Sequence, residues 1–157
     1  MAILDIKKAG DPVLKETCAE VDFVDGKLRK LLDDMAETMY KADGVGLAAP
    51  QVGVPIRMVV IDVNDEHGLI EMVNPVIIRR EGSEIDNEGC LSVPEIFGNV
   101  ERAAKVTVEY QNRRGKRQRL TAKGLLARCI QHELDHLEGT LFIDIAKSIR
   151  KGRSDSK

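Results

Sequence analysis

Residues Gln131 to His136 read QHELDH, and no other stretch restricts the fold of this chain so tightly. They sit in LLARCIQHELDHLE, whose apolar spacing predicts a helix from about Gly124 to Glu138, with Gly139 as its C-terminal stop. On such a helix His132 and His136 stand one turn apart on one face, so their rings can converge on a single ion. Imidazole suits zinc, iron and nickel alike, so the spacing implies a transition metal without selecting one. Glu133 projects about 100° around from His132, which places its carboxylate where it can take a proton from bound water instead of ligating. The plain alternative is an amphipathic helix whose histidines are merely packed or exposed. Against it, two of the three histidines in the chain fall at this spacing around the glutamate. His67, in NDEHG, has no such company and reads as a loop residue.

Two ligands do not complete a site: structural zinc takes four protein ligands, catalytic zinc three and an open position. Cys129 lies on the same helix, but about 10 Å along its axis from His136 at 1.5 Å per residue, too far for a short side chain to share the ion. It reads as a small apolar residue packing beneath the site. Cys90, within DNEGCLSVP (86–94), remains as a candidate, on an extended or turning segment that could approach the helix from elsewhere. Taken alone, a buried structural cysteine explains it better. A peptidase would need a third ligand beyond the helix, where Glu138, Asp144 and Asp155 are the only carboxylate side chains and none has suitable spacing. A non-catalytic metal-stabilised module would need a fourth ligand, and Cys18 has no metal-like context.

Elsewhere, KLRKLLDDMAETMYKA (27–42) carries Leu28, Leu31, Leu32, Met35 and Met39 at helical spacing, with Asp25 as N-cap and Gly44 where a stop is expected. Segments 56–63, 69–74 and 76–80 read as strands, and 105–111 with 116–122 as a hairpin. A short third helix is expected over Ile143 to Lys151. Strands without βαβ alternation point to an α+β fold, mainly antiparallel sheet around the central metal-binding helix. The 157 residues suit a single domain, 1–157, with a flexible basic tail over about 148–157. A net charge of −2 argues against direct nucleic-acid readout, and the clustered Arg113, Arg114, Lys116, Arg117 and Arg119 read as solvated hairpin charges. No signal peptide or membrane span is expected, and three irregularly spaced cysteines suit a reducing cytoplasm.

Three segments, GVGLAAPQ (44–51), EGCLSVP (88–94) and QHELDHLEG (131–139), in this order and spacing, resemble peptide deformylase. The resemblance runs from DPVL (11–14) to EGTLFID (138–144). It implies a metal-dependent hydrolase that removes the N-formyl group from the formyl-methionine of newly made polypeptides and releases formate. Cys90, His132 and His136 match the family's metal ligands and Glu133 its catalytic glutamate. Gln51 matches the glutamine whose amide steadies the formyl oxygen, with the Leu91 N–H as partner. The family uses Fe2+ and accepts Zn2+, Ni2+ or Co2+; nascent chains, and with them the ribosome, are the implied partners. Small residues in GVGLAAP let a substrate backbone come close, and Val45 and Gly46 are expected to offer it main-chain hydrogen bonds. Where some relatives have a basic residue near the cleft rim, this chain has Ile96 and Phe97.

Overall fold

The computed structural model describes residues 2–151, and its architecture follows from one strand buried on both faces. Strand β2 (Met58–Ile61) is apolar throughout and fully covered, because its alternate residues enter different cores. Met58 and Val60 pack with Met35, Met39 and Leu47 under helix α1 (Gly26–Lys41). Val59 and Ile61 pack with Ala127, Ile130 and Leu134 of helix α2 (Gly124–Leu137). The two helices thus lie on opposite faces of one sheet.

That sheet has five strands in the order β1-β2-β3-β6-β7, with β1 at Gly46–Ala48, β3 at Ile70–Glu81, β6 at Lys105–Gln111 and β7 at Arg117–Lys123. A second sheet has the order β4-β5-β8, formed by Glu84–Cys90, Val93–Arg102 and Ser148–Lys151. Every pairing between named strands is antiparallel. The expected α+β class, with antiparallel sheets around the histidine-bearing helix, holds.

Both long helices fall where the spacing puts them. Asp25 accepts from the Leu28 N–H at 3.0 Å, the expected N-cap, and Gly139 leaves α2 at φ +78. The end of α1 differs in detail. The left-handed position falls on Asp43, at φ +58, while Gly44 is needed for space: a Cβ there would lie 2.8 Å from Leu91 Cδ1. The segments 69–74 and 76–80 are one strand, β3, with a register shift between Val73 and Val76 around Asn74 at φ +52.

The C-terminus differs from expectation. No helix spans Ile143 to Lys151; a 3-10 turn, Phe142–Asp144, is followed by strand β8. The SIRK sequence of β8 is exposed along its whole length, so it has no apolar alternation to announce it, and its strand form comes from pairing with β5. Residues 148–151 of the stretch expected as a flexible tail form strand β8, and the rest of it, 152–157, lies outside the described residues. No helix among the described residues is long and apolar enough to cross a membrane.

Candidate metal centre and cleft

Helix α2 enters the interior with a face that is polar yet covered: Arg128, Gln131, His132, Glu133 and His136 are all buried. Buried polar groups need partners, and those of His132 are distinctive. Its Nδ1 lies 2.9 Å from Glu88 Oε1, fixing the ring so that Nε2 is left for another task. Its ring also stacks on Phe142, with centroids 6.1 Å apart, and meets the His136 ring edge-on at 5.2 Å.

The third group comes from the second sheet. Strand β4 ends at Cys90, and its Sγ reaches 3.5 Å from His136 Nε2. One donor atom each from Cys90, His132 and His136 lies within 4.8 Å of the others. Burial holds His136 well below its usual pKa, so its imidazole is neutral and has a lone pair to give. Sulfur with two imidazole nitrogens is a set that suits a transition metal. Cys129 stands apart from this group; it is packed in the core beside Ile130 and burial pushes its thiol up to about 12.

Glu133 lines the same cleft as Cys90 and His132. Its Oε1 is buried with no hydrogen-bond partner among the described residues. Burial, opposed by His132, raises its carboxyl to about 7. Gly46 makes room for it: a Cβ at Gly46 would lie 2.5 Å from Glu133 Oε2 and 2.9 Å from Cγ and Cδ.

Gln51 is also buried, and its orientation follows from its neighbours. The Ala48 N–H donates to its Oε1 at 2.9 Å, which leaves Nε2 pointing at Ser92 Oγ (3.0 Å) and Cys90 Sγ (3.7 Å). Leu91 follows Cys90 in the turn between β4 and β5. Gln51, Cys90, His132 and Glu133 line one cleft of about 530 Å³, bounded by Gly44, Val45, Leu91 and Phe97.

The cleft runs along the outer edge of β1. The Asp62 N–H donates to the Val45 carbonyl at 2.9 Å, and Gly46 faces Ile61 across the ladder. By antiparallel alternation the Gly46 N–H and C=O then face outward, whereas the Val45 carbonyl is already engaged within the sheet. Of the two main-chain sites expected here, Gly46 is the one on the open edge.

Sequence reading missed the groups behind the three donors. Glu88 accepts from Arg102 Nε at 2.8 Å and Arg128 Nη1 at 2.6 Å as well as meeting His132. Burial is overcome by the hydrogen bonds from His132 and Arg102, which hold its carboxyl down at about 2. Arg102 also reaches Asp135 at 2.6 Å. A signal did exist for Arg128, which precedes His132 by one turn on the same helix face.

The sequence matches the model of the polypeptide deformylase family over residues 3–152. The chain belongs to that family. A peptide deformylase of Desulfitobacterium hafniense is 56% identical over 147 residues, covering 94% of this chain and 97% of the relative. One from Pelotomaculum thermopropionicum is 55% identical over 151 residues, covering 96% of each. Among solved structures, peptide deformylase from Thermotoga maritima superposes with a TM-score of 0.90 at 44% identity, over 93% of this chain and 99% of that one. The Ehrlichia chaffeensis enzyme in complex with actinonin gives 0.91 at 40% identity, over 94% and 91%. Peptide deformylases are metal-dependent hydrolases, and they take the N-formyl group from the formyl-methionine of new polypeptides, releasing formate; this chain is an enzyme of that activity.

Proposed function

We propose that the chain is a single catalytic domain in which Cys90, His132 and His136 hold one divalent ion, Fe2+ by preference, and Glu133 moves the proton. The observation that carries this reading is the convergence of the three donors beside a buried carboxylate that has an unpaired oxygen. An ion held there supplies a Lewis acid and lowers the pKa of a water it holds from 15.7 to about 7.

Hydrolysis of a formamide needs a nucleophile, a polarised carbonyl and a proton for the departing amine. Glu133, with its carboxyl near 7, takes the proton from the attacking water and returns it to the leaving nitrogen. Charge developing on the formyl oxygen needs donors already in place. Gln51 Nε2 is turned to that side by the Ala48 bond, and the Leu91 N–H is its partner; one such donor is worth about 3 kcal/mol. The substrate lies extended against β1, where the Gly46 main chain receives it as an added strand. Its methionine side chain enters the cleft beside Val45 and Cys129. The setting is the cytoplasm, where nascent chains are met at the ribosome.

The deciding experiment is anaerobic purification with metal analysis, followed by formate release from formyl-Met peptides. About one iron per chain and formate release that a chelator stops are expected. Cleavage of internal peptide bonds without formate would refute the reading. A finer test is Gly46→Ala. The added methyl displaces the Glu133 carboxylate, so kcat should fall by about 100-fold, the cost of roughly 1 Å of misplacement, while metal content holds. Wild-type kcat in this variant would show that Glu133 has slack to move.

A further inference from the structure

The groups that act on the formyl oxygen come from different sheets. Gln51 follows β1 of the five-stranded sheet, whereas Leu91 and Ser92 lie between β4 and β5 of the three-stranded one. Among the described residues no ladder joins these sheets, so their spacing must be fixed by something else.

The first residues of the chain cross that gap. Residues 2–18 belong to neither sheet, and their only regular structure is a 3-10 turn at Pro12–Lys15. Their amides nevertheless reach each part of the site in turn. The Ala2 N–H donates to Asp34 Oδ1 at 2.8 Å and the Leu4 N–H to Thr38 Oγ1 at 2.9 Å, which anchors the start of the segment on α1. The Lys7 N–H donates to the Gln51 carbonyl at 2.7 Å and the Ala9 N–H to the Ser92 carbonyl at 2.8 Å. Further on, the Cys18 N–H donates to the Leu137 carbonyl of α2 at 2.8 Å. The Lys15 carbonyl lies so close to Gly139 that a Cβ there would be 2.5 Å from it.

We propose that residues 7–9 are a splint across the two sheets, which sets the separation of the Gln51 amide and the Leu91 N–H, and that Lys7 and Ala9 are positioning residues for deformylation. This rests on the reading of Gln51 and Leu91 as donors to the formyl oxygen. The splint acts through its backbone: the Ala9 side chain is exposed, and the Lys8 side chain bonds only back to the Ile6 carbonyl, at 2.8 Å. Its bonds run parallel to the Gln51 Nε2 to Ser92 Oγ bond, closing one ring that contains both donor segments. Loosening that ring acts first on the Gln51 and Leu91 groups, whereas His132 and His136 are held on α2.

The local geometry supplies a selective test. The Asp11 N–H donates to the Lys8 carbonyl at 3.0 Å, and Gly10 has φ +105, so Lys8 to Asp11 form a turn of the type II kind with Ala9 in its second position. That position favours proline, so Ala9→Pro removes the N–H while suiting the turn.

The measurement is kcat and KM on a formyl-Met peptide, with metal content and melting temperature, for wild type, A9P, A9G, Q51A and the A9P/Q51A double variant. A9P should lower kcat by about ten- to 100-fold with KM and metal content held, as expected for a displaced transition-state group. A9G, which keeps the N–H, should turn over like wild type. In the Q51A background A9P should cost little more, since both act through one group. Wild-type kcat in A9P, or fully additive losses, overturns the splint. Wild-type kcat in Q51A overturns the donor reading itself, which separates the two failures. Should A9P not fold, amide exchange in the wild-type protein decides: slow exchange at Lys7 and Ala9 supports the splint, and exchange as fast as in an unfolded chain overturns it.

Discussion

Glu133→Ala should abolish most turnover while the protein stays folded and loaded with metal. The carboxylate makes no bond through Oε1 among the described residues, so the fold loses little by its removal. Burial has already raised its pKa to about 7, which means that keeping it ionised in this site is costly. The melting temperature of the variant is therefore expected to equal or exceed that of wild type. Turnover should respond very differently. A positioned acid–base group contributes on the order of 10²–10⁴ in rate, and kcat should fall by that range with KM nearly unchanged. Iron content near one per chain together with that loss would assign Glu133 to proton transfer. Loss of the ion along with activity would make it a ligand, and a collapse in melting temperature would make it structural.

The parts of this molecule that could be read from sequence are those whose signal is local. Helix α2 and its histidines follow from spacing on one element, and so do α1, its Asp25 cap and the β6–β7 hairpin. Strands β4, β5 and β8 were not legible, because their residues are set by what they cover. EIDNEGC is mostly exposed, with three acidic residues, and it carries only Glu88 and the half-buried Cys90 inward. In β5, Gly98, Val100 and Arg102 share the covered face, a row in which an arginine conceals the alternation. The same limit applies to the site. Cys90 could not be placed from its own neighbours, and only the likeness of three segments to a known family singled it out. Its approach to His136 depends on how the second sheet docks against α2, which no window of sequence contains. The N-terminal amides were invisible for a further reason: they act through the main chain, so their residue types carry no mark.

Glu88→Ala should have the largest effect on stability of any single change behind the site, and it should weaken the ion as well. One carboxylate serves two buried guanidinium groups and the His132 imidazole, with side chains of Glu88 and Arg102 each only 5% exposed. Truncation leaves Arg102 with Asp135, and Arg128 with the Val100 and Glu84 carbonyls, so hydrogen bonds survive but one of the buried positive charges has no counter-ion. Breaking a buried pair in this way costs about 3–5 kcal/mol, which chemical denaturation would read directly. Metal affinity should fall by about 10–100-fold, because His132 loses the partner that orients its ring. The two effects can be separated. Adding Arg128→Met removes the unpaired charge, so the double variant should recover much of the stability and none of the metal affinity. Recovery of both would mean that His132 is held by packing on Phe142 instead of by Glu88, whereas a wild-type denaturation midpoint in Glu88→Ala would mean that water reaches the arginines.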